Sequence, residues 1–233
     1  MYLICTLPRA GGHLLISLLN STGVCGNVTV PEMFDQWETI HGEHFGDGEN
    51  ATDKQLEVFF DNECVSPETQ KFVGAKCWHY NMPMILRMFE LKGIGLSDIK
   101  WIYLRRENLV KQAISNVIAL ESDRWHFYDR NDKIDSEHLD ISLDRIRDFF
   151  CRNFITQLKW ESCFAEHGID PFRVAYEDFE YPEQWQGKIS EILDYFGVDY
   201  ELPLDLSSNF HRTSTGLNER LYEEFIDSYG EVP

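Results

Sequence analysis

The sequence is short of positive charge: lysine and arginine together number 21 against 40 aspartates and glutamates, for a net charge of −19. An excess of that size repels phosphodiester backbones and anionic lipid surfaces, so nucleic acid and the acidic membrane surface are poor partners. An anionic ligand must be met by gathering the few cations in one place. Cysteine pairing is also missing. The six cysteines (Cys5, Cys25, Cys64, Cys77, Cys151, Cys163) show no C-x-x-C spacing. They read as reduced thiols of a cytoplasmic protein, which leaves the sequons at Asn27 and Asn50 without a secretory setting. No apolar run approaches the roughly 20 residues of a membrane span. The first strand-like run starts at residue 2, which argues against a signal peptide. His41-x-x-His44 and the other histidines lack cysteine partners or zinc-like spacing, so no metal is expected. There is no internal repeat, low-complexity tract or linker.

What is present suffices for one domain. Apolar residues make up 43% of 233 positions and aromatics 14%, enough for a proper core. The chain is organised around its N-terminal stretch. Tyr2-Leu-Ile-Cys-Thr6 has the composition of a buried strand. Pro8, Gly11 and Gly12 interrupt it, and from Leu14 the spacing turns helical, with Leu14, Leu15, Leu18 and Leu19 on one face and Gly23 as the stop. A strand, a tight glycine loop and a helix aim backbone N–H groups and the positive end of a helix dipole at one spot, which suits an anion such as phosphate. Arg9 adds a fixed charge at that mouth. The loop lacks the lysine and hydroxyl of a Walker A motif, and G-x-G-x-x-G is absent.

Further strands are expected at residues 27–31, 72–77, 101–104 and 172–176. Helices are expected near residues 53–60 and 82–91, from the N-cap Asn108 to about residue 120, and from about residue 217 to the C-terminus. Ile146, Phe149, Phe150, Phe154 and Leu158 mark a long amphipathic helix. Ile189, Ile192, Leu193 and Phe196 mark another that stops at Gly197. Strands alternating with helices give an α/β fold, a central parallel sheet flanked by helices in three layers. Residues 42–70 and 121–140 read as peripheral or acceptor-side loops of one domain spanning 1–233.

In such sheets ligands bind outside the carboxyl ends of the strands. Arg9, Glu32, Lys76 to His79 and Arg105-Arg106 all fall at such ends. Arg105-Arg106, followed by a helix bearing Ser115, makes a second anion site, since guanidinium binds phosphate oxygens bidentately and a hydroxyl completes the shell. Two anion sites on neighbouring strands match a nucleotide phosphorylated at both its 5′ and 3′ positions.

Five blocks now make a pattern: Pro8-Arg9-Ala10-Gly11-Gly12-His13-Leu14-Leu15, Pro31-Glu32-Met-Phe34, Gly74-Ala-Lys76, Arg106-Glu-Asn-Leu-Val-Lys-Gln112-Ala113-Ile-Ser115, and a weaker stretch from Tyr176 into 212–225. Their order and rough spacing resemble the bacterial trehalose 2-sulfotransferase family. The resemblance implies a P-loop-kinase-like fold and a sulfotransferase that uses 3′-phosphoadenosine 5′-phosphosulfate (PAPS), releasing adenosine 3′,5′-bisphosphate (PAP). It also implies a small hydroxyl acceptor of the saccharide type, and often a homodimer. By position, Arg9 with the N–H groups of Gly11, Gly12, His13 and Leu14 would hold the 5′-phosphosulfate, with Ala10 in the same loop. Arg106 and Ser115 would hold the 3′-phosphate, Arg212 would add a further contact, and Glu32 would be the general base with His79 as the alternative. The family loop commonly reads Arg-Ser-Gly-Ser-Thr. Here its three hydroxyl positions are Ala10, Gly12 and His13, so backbone donors survive while side-chain hydroxyls to the sulfuryl group do not. Two other readings stay open: a P-loop-like nucleotide kinase, and a phosphonucleotide-binding protein of the same fold that has lost turnover.

Overall fold

The computed structural model describes residues 1–25, 51–61, 74–125, 139–208 and 216–230. Among the sequence-based expectations, the strand at 27–31, Glu32, His41, His44, Cys64, Arg212 and most of 121–140 lie outside the described residues. Four parallel strands, β1 (Tyr2–Cys5), β2 (Gly74–Cys77), β3 (Lys100–Arg105) and β4 (Phe172–Ala175), form a sheet in the order β2-β1-β3-β4. β1 is buried on both sides, as a parallel strand covered by helices must be. Its side chains alternate: Leu3 and Cys5 face one apolar cluster, Tyr2 and Ile4 the other.

The Leu3/Cys5 face is covered by α2 (Asp53–Phe59), α3 (Met82–Lys92) and the far end of α5 (Leu143–His167). Ala51, Leu56 and Phe60 belong to this cluster, so residues 51–61 pack into the body of the domain. The Tyr2/Ile4 face is covered by α1 (Gly12–Ser21) and α6 (Pro182–Phe196). Ile189, Ile192 and Leu193 of α6 are fully buried there, each contributing on the order of 1.5–3 kcal/mol. The three-layer α/β arrangement read from the sequence is therefore the one observed. A satellite cluster joins α4 (Leu109–Ser122), the near end of α5 and α7 (Gly216–Tyr229).

One helix departs from expectation. The stripe proposed for α5 ran through Phe154 and Leu158, yet these are 49% and 54% exposed. The buried face is instead Ile146, Asn153, Trp160, Cys163 and Phe164. A heptad-like spacing keeps that face turned inward along a helix of 25 residues, packing first on α4 and α7 and then on the sheet.

The topology also locates the crevice. The chain leaves β1 for β2 on one side, crosses back to β3 on the other, and continues outward to β4. Connections part between β1 and β3, and that switch point is where open α/β sheets bind ligands.

Candidate active site at the carboxyl ends of the strands

Residues 6–11 connect β1 to α1 and are tied down from four directions. The Thr6 N–H donates to the Cys77 carbonyl at 3.2 Å, and Thr6 Oγ1 donates to the Leu104 carbonyl at 2.8 Å. Trp160 Nε1 of α5 donates to the Thr6 carbonyl at 3.1 Å, and Gln112 Nε2 of α4 to the Pro8 carbonyl at 2.7 Å. Held in this way, the loop turns sharply, with Arg9 at φ 61° and Gly11 at φ 87°. A non-glycine residue in the left-handed region is strained, and it persists where its surroundings over-determine it, most often at functional sites. Gly11 is required twice over, because a Cβ there would also lie 2.6 Å from the Tyr176 ring. The turn delivers α1 with no side-chain cap and no carboxylate in its first turn. Its positive end therefore faces the crevice in the manner of an anion-binding helix terminus.

Beneath that terminus lies Lys76 of β2, 1% exposed. In the register it pairs with Ile4, which places it on the sheet face that α1 covers. A Cβ at Gly12, the first residue of α1, would sit 2.9 Å from Lys76 Cδ and 3.8 Å from its Nζ. The ammonium lies 4.7 Å from the centre of the Trp78 ring, a cation–π distance. The sequence marks Lys76 as one of several strand-end residues and assigns it no role. The available signal was a charged side chain inside a four-residue run otherwise made of glycine, alanine and cysteine.

Towards β3 the cations gather. Arg9 Nε donates to Ser115 Oγ at 2.9 Å, and Nη1 donates to the Trp125 carbonyl. Burial first, and then the like charge of Arg106, bring the Arg9 guanidinium down to about 10. Arg106 stacks over the Tyr176 ring at 4.8 Å, with Nε 3.8 Å from Glu177 Oε1. That carboxylate also accepts from the N–H groups of Glu107 at 3.1 Å and Asn108 at 3.4 Å, closing the start of α4. Asn108 is the N-cap the sequence indicated, accepting from the Lys111 N–H at 2.8 Å. Arg9, Arg106 and Ser115, assigned from sequence to two separate phosphates, thus meet in one cluster.

His79 stands just past β2, its ring edge-on to Trp160 at 5.4 Å. Burial and the nearby Lys159 hold its imidazole below the usual range, so it is neutral near pH 7. Ala10 is fully buried under the loop, while His13 and Leu14 are half-buried in the first turn of α1. Gln112, Trp160, Tyr176 and Glu177 set the loop and the arginines; Gln112 and Tyr176 fall in blocks of the family resemblance, but none of the four was given a role from sequence.

A helix terminus, a buried ammonium and two guanidiniums thus gather positive charge at the switch point of an α/β sheet. The class narrows further. The Stf0 sulphotransferase family model matches residues 91–230, more than half of the chain, and the chain belongs to that family. The match takes in Arg106 and Ser115; the β1–α1 loop and Lys76 precede it. Among solved structures the chain is similar to the sulfotransferase domain of the Synechococcus PCC 7002 olefin synthase, at 16% identity over 100% of this chain and 95% of that one, with a TM-score of 0.46. It is also similar to retinol dehydratase, solved with retinol and PAP, at 12% identity over 98% and 78% with a TM-score of 0.46. A third is the sulfotransferase domain of the curacin biosynthetic pathway, at 13% identity over 94% and 81% with a TM-score of 0.45. No curated protein matches the chain at a significant level. No helix among the described residues is long and apolar enough to cross a membrane.

Proposed function

We propose that the chain transfers a sulfuryl group from PAPS to a hydroxyl of a small acceptor of the saccharide type, residues 1–233 working as one cytoplasmic domain. The observation that carries this reading is the meeting of Arg9, Arg106 and Ser115 beside the α1 terminus, in a member of a sulfotransferase family. The spacing of an uncapped helix terminus and a guanidinium pair around one crevice suits a nucleotide with separate 5′ and 3′ anions.

In this reading Arg106, Ser115 and the Arg9 side chain hold the 3′-phosphate. Their mutual repulsion without a ligand is what a bound dianion relieves. The N–H groups of Gly11 to Leu14 receive the 5′ end. The acceptor oxygen attacks sulfur, the bond from sulfur to the phosphate oxygen breaks, and its electron pair stays with the 5′-phosphate of PAP. The acceptor proton passes to a carboxylate, for which Glu32 is the preferred base: it follows a strand-like run and is flanked by Met33 and Phe34, which would desolvate it. Such a base contributes about 10²- to 10⁴-fold.

The direct test is incubation of the full chain with sulfur-labelled PAPS and a panel of disaccharides. Label appearing on a sugar in the wild type, with PAP released in step, is the expected result. PAP release without a labelled product on any small hydroxyl compound would overturn the transferase reading.

A further inference from the structure

We infer that Gln112 is a positioning residue that gives the crevice its preference for a nucleotide carrying a 3′-phosphate: by holding the Pro8 carbonyl it fixes the turn that sends the Arg9 side chain to Ser115. This rests on the proposed use of PAPS, and it answers a question which that proposal leaves. Arg9 belongs to the loop at the 5′ end, yet its side chain reaches Ser115 of α4. Its backbone is bent into the left-handed region, at φ 61°, which an arginine occupies only under constraint.

The turn itself shows what has to be constrained. In Leu7-Pro8-Arg9-Ala10 the Ala10 N–H donates to the Leu7 carbonyl at 3.3 Å, with proline second and a positive φ third. That is the form of a type II turn, whose third place normally falls to glycine or asparagine. A type I turn joins the same ends, also takes proline second, and spares the third residue the left-handed region. The two forms differ chiefly by a rotation of the central peptide, here the one that carries the Pro8 carbonyl. With arginine third, the turn by itself favours type I, so another element must hold that carbonyl in place. Gln112 does so from α4, its Nε2 donating to the Pro8 carbonyl at 2.7 Å.

The side chain's surroundings fit that task. Gln112 is fully buried, so it touches no ligand and acts through the loop. Its Oε1 has no hydrogen-bond partner among the described residues. A half-satisfied buried amide is costly, and an apolar residue of the same length would cost less. The bond to Pro8 is what calls for an amide there. Ser115 follows one helical turn later on the same face of α4, so successive turns of one helix grip Pro8 and then Arg9. Without Gln112 the central peptide rotates, the φ of Arg9 turns negative, and its side chain leaves in a direction away from Ser115. Because both turn types share their end points, the N–H groups from Gly11 onward keep their place. The loss therefore falls on the 3′ end alone, and since the 3′-phosphate is unchanged by the reaction, it appears in affinity more than in turnover.

The test is calorimetric titration of the full chain with PAP, adenosine 3′-phosphate and adenosine 5′-phosphate, in wild type, Gln112→Met, Arg9→Ala and the double variant. A wild type that binds no PAP would remove the donor reading, and this inference with it, before any variant is compared. Gln112→Met keeps the length of the side chain and removes the donor. It should weaken PAP and adenosine 3′-phosphate about tenfold or more and leave adenosine 5′-phosphate within about twofold. In the Arg9→Ala background the same substitution should change PAP affinity by less than about twofold, since the side chain it aims is gone. A merely structural glutamine would weaken all three ligands alike, or cost PAP as much without Arg9 as with it. Either result, or unchanged PAP affinity in Gln112→Met, overturns the assignment. Gln112→Asn, whose amide falls one carbon short of Pro8, supplies a second line should Gln112→Met fail to fold. It should show the same pattern, and PAP affinity equal to wild type would again overturn the assignment.

Discussion

The two ends of the crevice hold charge in different ways. At the β3 end, partly buried side chains meet: Arg9 on Ser115, Arg106 stacked on Tyr176, and the Arg106 charge near enough to disfavour that of Arg9. At the β1 end the donors are the backbone of an uncapped helix and a lysine sealed beneath it. Under the proposed function the first arrangement would recognise a group that does not change during the reaction, and so give affinity. The second would lie at the bond that breaks, and so give rate. Binding that is equal in the ground and transition states lowers the substrate concentration needed without speeding the chemical step. Substitutions at the two ends should therefore separate affinity from turnover.

The largest effect expected is on the base. Glu32→Gln should lower turnover about 10²- to 10⁴-fold while PAP affinity stays close to wild type. If turnover is unchanged, the proton goes elsewhere, and His79→Ala becomes the informative variant, since that imidazole is already held neutral. Next is Arg106→Ala, which should cost PAP about 1.5–3 kcal/mol and adenosine 5′-phosphate little. Equal losses for both ligands, read by calorimetry, would contradict its place at the 3′ end.

Gly11→Ala should destabilise the protein by about 1–3 kcal/mol, because it combines a left-handed φ of 87° with a 2.6 Å approach to Tyr176. An unchanged thermal midpoint would show that the turn is free to relax. The smallest expected effect is that of Ser115→Ala, about 0.5–1.5 kcal/mol in PAP affinity.

A pH experiment sharpens the same contrast. Arg9 is depressed to about 10 from an ordinary 12.5, so its charged form disfavours the ligand-free fold. That cost is full below about pH 10 and fades as pH rises towards the unfolded value. A bound anion reverses the balance and raises the Arg9 value. PAP binding near pH 10 should therefore take up protons, and PAP affinity should fall as pH rises through 10. Proton uptake is measured by titrating in buffers of different ionisation enthalpy, and none in any buffer would contradict the pairing of Arg9 with the ligand.

Much of this architecture was legible in the sequence because it rests on local rules. The glycine loop after Tyr2-Leu-Ile-Cys, the Asn108 cap and the Ile189/Ile192/Leu193/Phe196 stripe are all signalled by residue type and spacing within a few positions. The parallel sheet follows from their alternation. The exposed half of α5 was not legible, since Phe154 and Leu158 satisfy the helical period as well as Trp160 and Phe164 do. Which face turns inward depends on the sheet and on α4, far away in the chain. The candidate site shows the same divide. Arg9 and Arg106 were singled out because they carry charge at strand ends, and Ser115 because it carries a hydroxyl on the helix that follows. That Arg9 would reach Ser115, 106 positions away, depends on the β1/β3 register. Lys76 stayed without a role because its burial lies against the missing Cβ of Gly12, and a contact between a strand and a distant helix terminus leaves no mark in either one alone.

The central claim is that this crevice is built for a nucleotide with anions at both ends, and a calorimetric titration of the full chain with PAP beside ATP and magnesium tests it most directly. Binding of PAP in the micromolar range or tighter, with little heat from ATP, is the predicted result. Binding of ATP with magnesium and none of PAP would contradict it, and would give the loop after β1 the work of a kinase.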